Sequence, residues 1–145
     1  MVFFLRIIIS SLKIATDLER IADNAKRIAR SVSEINNINI DKPFESIIEM
    51  ATIGLKMLHE IMAAYSQTDV QKAVEIWHRD EQIDSIYSHL LTQMQTFLQE
   101  DSDKYQAYTS LIFAARCCER IGDHIQNIAE DVYYIVKGKV YSRVD

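Results

Sequence analysis

Leu18-Glu19-Arg20-Ile21-Ala22-Asp23 and Cys118-Glu119-Arg120-Ile121-Gly122-Asp123 are one phrase written twice, 100 residues apart. Across positions 19–32 and 119–132, seven of fourteen residues are identical, well beyond chance. Both copies sit inside long apolar periodicities. Ile7, Ile14, Ile21, Ile28 and Ile35 recur every seven residues, with Leu18, Ala25 and Val32 on the neighbouring row. A seven-residue apolar repeat buries one stripe of a helix against partner helices. The second copy carries the stripe Leu111, Ala114, Cys118, Ile121, Ile125, Ile128, Val132 and Ile135. These spacings predict helices over about 3–35 and 104–137. The first is ended by Asn36, Asn37 and Asn39, which favour turns, and the last by Gly138.

Two more helices fill the space between. One is expected over about 43–65, with Pro43 in its first turn, where a missing N–H costs little. The other is expected to start at Thr68-Asp69-Val70-Gln71, a capping-box pattern. It carries the stripe Ile76, Ile83, Leu90 and Phe97, flanked by Ala73, Tyr87 and Met94, and breaks at Glu100-Asp101-Ser102-Asp103. One proline and three glycines in 145 residues suit long helices and leave little material for β-turns. The fold class is therefore all-α: an antiparallel bundle of four long helices joined by short connections. The repeat divides it. Residues 41–140 read as a complete three-helix unit, and residues 1–36 as the last helix of a preceding unit whose first two helices this chain does not encode. A helix with so much apolar surface is not stable alone, so it is expected to pack on the bundle, on a second copy, or on both.

Composition excludes several functions. The net charge is −5 and no stretch concentrates Lys and Arg. That argues against nucleic acid and against a dedicated basic pocket for free phosphate. Cys117 and Cys118 are adjacent, without a CxxC spacing, and read as reduced helix residues of a cytosolic protein. The apolar run Met1–Ile9 is interrupted by Arg6 and is too short for a span of about 20 residues, so it reads as the start of a buried helix. No nucleophile–base pair, glycine-rich phosphate loop or nucleotide motif is present, and the chain is not expected to be an enzyme.

The acids carry the chemistry. Glu19/Asp23 and Glu119/Asp123 are each spaced i, i+4, which stacks two carboxylates one turn apart, where they repel. A third pair, Asp80 and Asp84, lies on the third helix, with Asp80 in the apolar row of Ala73, Tyr87 and Met94. A carboxylate there is costly unless something compensates it. With the third and fourth helices antiparallel, Asp80, Asp84, Glu119 and Asp123 converge on one surface groove. Oxygen ligands without thiolate suit a hard ion such as Mg²⁺, Mn²⁺, Ca²⁺ or iron. A single acidic pair is more often a solvated helix face. The repeat and the partner pair are what raise this one above that. Glu19 and Asp23 have no encoded partner helix, so theirs is an incomplete site. His59, His78, His89, His124, Trp77, Tyr133 and Tyr134 read as packing or surface residues. A carboxylate-bridged di-metal enzyme would need histidines in step with the acids, and there are none.

Asp17-Leu-Glu-Arg-Ile-Ala-Asp23 and Glu119-Arg-Ile-Gly-Asp-His-Ile-Gln-Asn-Ile-Ala-Glu130 resemble the signature helices of the PhoU family of phosphate-transport regulators. The resemblance covers essentially the whole chain. Its departure is at the N-terminus, where the family has about two more helices. It implies two similar three-helix bundles that bind metal through surface acidic motifs. Asp80, Asp84, Glu119 and Asp123 would be the ligands of the second bundle, and Glu19 and Asp23 part of the first bundle's set. The ion would be divalent or trivalent, with iron, Mn, Mg or Zn as candidates. The implied function is negative regulation of phosphate uptake and of the phosphate-starvation response. The protein would be a helical adaptor between a phosphate ABC transporter ATPase and a membrane sensor histidine kinase. It would be cytoplasmic or peripheral at the inner membrane face, and dimeric. The alternative is a PhoU-like accessory domain of a phosphate carrier without kinase signalling.

Overall fold

The computed structural model describes residues 1–35, 41–100 and 102–142. Four long helices account for nearly all of them: α1 Val2–Ser33, α2 Asp41–Gln67, α3 Val70–Glu100 and α4 Tyr105–Lys137, with a single 3-10 turn at Ser102–Lys104 before α4. The asparagines expected to end α1 lie outside the described residues.

The caps follow from local chemistry. Asp69, rather than Thr68, caps α3: its Oδ1 accepts from the Lys72 N–H at 2.9 Å, while Thr68 sits at φ 51 in the turn. The two-residue link between α2 and α3 needs a left-handed residue, which displaces the expected capping box by one position. Gly138 ends α4 at φ 71 and returns its N–H to Tyr134 O at 2.8 Å. The Arg6 guanidinium of α1 also reaches the Tyr134 carbonyl, adding positive charge where the helix dipole is negative.

Successive helices run antiparallel. Arg79 of α3 bonds Glu60 of α2 at 2.8 Å, and the Phe97 ring stacks on Tyr108 at 5.9 Å. The core lies between α2, α3 and α4. Met50, Met57, Ile61, Ile76, Ile83 and Leu90 are all fully buried within it, as the period of their rows requires.

Helix α1 lies antiparallel along α4. Lys13 pairs with the buried Asp131, and Asp17 Oδ1 meets His124 Nδ1 at 2.7 Å and accepts from Asn127 at 3.2 Å. The histidine, read from sequence as a packing or surface residue, is thus a polar link between the two helices. Among the described residues, a hydrogen bond between Ser11 and Tyr65 ties α1 to α2. Ile14 and Ile21 of the heptad row are buried. The N-terminal stretch departs from expectation. It is helical, but Val2, Phe4, Leu5, Ile8 and Leu12 are exposed. Helix α1 is amphipathic beyond what α4 alone can cover. Farther along, α1, α2 and α4 border an apolar groove lined by Ile21, Ala25, Met50, Gly54 and Leu55. No helix among the described residues is long and apolar enough to cross a membrane.

Candidate metal centre

Asp80 sits in the middle of α3, on the row of Ala73 and Met94, and is only 1% exposed. The antiparallel packing of α3 on α4 sets this row against the turn that contains Glu119, Gly122 and Asp123. Gly122 makes the close approach work. A Cβ there would collide with Asp80 Oδ1 and lie 3.3 Å from both Asp80 Cγ and Ile83 Cδ1. Glycine costs about 1 kcal/mol in a helix interior relative to alanine, and here it gives the carboxylate a seat against the α4 backbone.

Ligand atoms of Asp80, Asp84 and Asp123 lie within 4.8 Å of one another. Their exposure is graded: Asp80 is buried, Asp123 half-buried and Asp84 exposed. The site is therefore open to solvent on one side and closed by protein on the other, deeper than the surface groove expected from sequence. Glu119, the fourth expected ligand, is not one of these three but lies beside Asp123, close enough for the two carboxyl groups to act on each other. Its Oε2 accepts from Arg116 Nη1 at 2.7 Å, one turn back on the same helix. Asp80, Asp84 and Asp123 are brought together, and Glu119 is adjacent but engaged.

The electrostatics are unbalanced. Burial pushes the Asp80 carboxyl up to about 7, and the neighbouring charges of Asp84, Asp123 and Glu119 push in the same direction. Asp84 is raised by burial and then by Asp123. Glu119 is raised by burial and Asp123, against the opposing pull of Arg116. Asp80 Oδ1 is buried without a hydrogen-bond partner. Such a group is expensive to leave unmet. A hard cation fits what these residues lack: three carboxylates, no sulfur or nitrogen donor, one orphaned buried oxygen and a glycine seat.

The first-copy acids are placed differently. Glu19 and Asp23 are both exposed, and neither joins a cluster of three candidate ligands among the described residues. Ala22 stands where α4 has Gly122. The close approach at Gly122 is not signalled by the acidic spacing, although the Ala22/Gly122 difference is visible in the repeat.

Comparison with known proteins places the chain. The PhoU domain family model matches residues 3–32 and 47–132. A phosphate-specific transport system accessory protein PhoU homolog of Rhizobium meliloti (strain 1021) is 38% identical over 135 residues, covering 92% of this chain and 57% of that protein. The accessory protein PhoU of Escherichia coli (strain K12) is 33% identical over 140 residues, covering 97% of this chain and 58% of that one. Among solved structures, PhoU from Pseudomonas aeruginosa superposes with a TM-score of 0.90 at 33% identity, covering 94% of this chain and 66% of that one. The phosphate transport system regulatory protein PhoU from Streptococcus pneumoniae gives 0.89 at 29%, over 98% and 67%. This chain thus spans less than three fifths of these curated relatives. The match to the family model across most of its helices, with the four-helix superpositions, shows that the chain belongs to the PhoU family.

Proposed function

We propose that this chain is a metal-binding helical adaptor that restrains phosphate uptake and the phosphate-starvation response. Its partners would be a phosphate ABC transporter ATPase and a membrane sensor histidine kinase. The observation that carries the metal part is the Asp80 carboxylate, buried, unpartnered and seated on Gly122 beside Asp84 and Asp123. Asp80, Asp84 and Asp123 would hold the ion, and Glu119 would join by leaving Arg116. A bound cation would supply the positive charge that lets these acids ionise together. The protein's own residues do the remainder: Gly122 admits the carboxylate, and α3 and α4 hold the acids in register.

Family membership supports the regulatory part, because the similar proteins are named as accessory proteins of phosphate-specific transport systems. An adaptor of this kind acts by differential contacts between states rather than by chemistry.

Two measurements test this reading. Elemental analysis of protein purified without chelator is expected to find Fe, Mn, Mg or Zn in the parent and none in an Asp80→Asn/Asp123→Asn variant. A metal-free parent whose thermal unfolding ignores added Mn²⁺ would sink the ligand assignment. In cells, removing the protein is expected to raise phosphate uptake when phosphate is plentiful, and unchanged uptake contradicts the regulatory role.

A further inference from the structure

We infer that the groove between α1 and α4 lined by Arg27, Arg30, Arg116 and Arg120 binds a phosphoryl oxyanion, free or as a phosphate headgroup. The sequence shows no basic stretch because the two arginine pairs are far apart along it. Spacings of i, i+3 in α1 and i, i+4 in α4 put each pair on one helix face. Antiparallel packing then brings both pairs into one groove, together with Asn24 and Phe113. An acidic chain of net charge −5 thereby gathers four guanidinium groups at one place.

Three of the four are uncommitted. Arg116 donates to Glu119 and lies 6.0 Å from the centre of the Tyr87 ring. Arg27, Arg30 and Arg120 have no ion pair among the described residues, although Asp23 and Glu34 lie one turn to either side on α1. Like charges that line one groove repel each other, and an anion between them would reverse the sign. The groove has a focus: Arg27, Arg116 and Arg120 all act on the buried Cys117 thiol, opposing the upward push of burial. Asn24, 3% exposed, also lines the groove; its unpartnered Oδ1 is an acceptor that a guanidinium, not the anion, would satisfy. Its Nδ2 donates to the Arg20 carbonyl at 2.9 Å.

Guanidinium forks bind phosphate oxygens in pairs. Forks that line one groove suit a compact anion of more than one charge. A single carboxylate carries too little charge, and an extended acidic peptide would need its cations spread along a face. Phe113, 62% exposed at the rim, gives an ester or lipid source something apolar to touch, which free phosphate would not use. The inference does not rest on the metal proposal, because none of these arginines belongs to the aspartate triad.

The test uses chelator-treated full chain, so that no metal bridges the ligand. One arm titrates inorganic phosphate and pyrophosphate by calorimetry. The other co-sediments the protein with phosphatidylglycerol vesicles against phosphatidylcholine vesicles. Saturable binding is expected in at least one arm, and which arm identifies the source. Arg27→Gln/Arg120→Gln should weaken binding by about tenfold or more with thermal unfolding unchanged. Arg27→Lys/Arg120→Lys should fall between the two, because it keeps charge without the fork. Asp80→Asn should bind as the parent does. Absence of binding in both arms, or binding that the glutamine variant leaves intact, overturns the inference.

Discussion

Glu119 and Asp123 of α4 stand across from Asp80 and Asp84 of α3, and Gly122 leaves room for the Asp80 carboxylate. Glu19 and Asp23 of α1 face solvent, and Ala22 takes the glycine's place. The two acidic pairs share their residues and their spacing. The comparison teaches that an acidic pair alone does not make a candidate site. What distinguishes the α4 copy is a third acid driven into an apolar row, and a missing Cβ that lets it pack. A solvated pair has its repulsion screened by water, whereas the buried carboxylate retains an unmet demand for charge.

The largest expected effects fall on that difference. Gly122→Ala puts a methyl group where Asp80 Oδ1 lies. Measured by titration with Mn²⁺, its affinity for metal should drop by about tenfold or more. Chemical denaturation should show a net loss of up to about 2 kcal/mol, since overpacking costs about 1–3 kcal/mol and the helix preference returns about 1. The mirror change, Ala22→Gly, should cost up to about 1 kcal/mol through helix preference alone and leave metal binding untouched. Equal behaviour of the two variants would break the comparison.

Next in size is the pH response of metal-free protein. The folded chain keeps the Asp80 proton up to about pH 7, well above the ordinary range of an aspartate exposed in the unfolded chain, about 4. Between those values the folded state binds more protons, so stability should fall as pH rises from about 4 to about 7 and level off above. Asp80→Asn should flatten that slope and stabilise metal-free protein at pH 8, read from denaturation midpoints at both pH values. A slope that survives the substitution would place the titrating group elsewhere. The smallest effect belongs to Glu19→Gln/Asp23→Asn. As an exposed change it should move stability by less than about 0.5 kcal/mol. A larger shift would mean that the α1 pair has a partner.

Much of this was legible in the sequence. Seven-residue apolar rows gave the helices and their faces, and Gly138 marked the end of α4. A lone aspartate among Ala73 and Met94 pointed to an unusual charge, and short links made α3 and α4 neighbours. The rest depended on side-chain choices that spacing does not encode. Asp80, Asp84 and Asp123 come within reach of one another, while Glu119, beside Asp123, is bonded to Arg116. The turn at Thr68 moves the α3 cap to Asp69. The N-terminal apolar run stays exposed because hydrophobicity predicts burial without saying what does the covering. The arginine groove is a sum over two helices distant in sequence, which a search for basic runs cannot find.

The most direct test of the central claim is thermal unfolding of chelator-treated protein with and without Mn²⁺, in the parent, Asp80→Asn and Glu19→Gln/Asp23→Asn. Binding to the folded state raises the midpoint. The account predicts a clear rise for the parent and for the α1 variant, and none for Asp80→Asn. A rise that persists in Asp80→Asn, or that disappears when only Glu19 and Asp23 are changed, would contradict it.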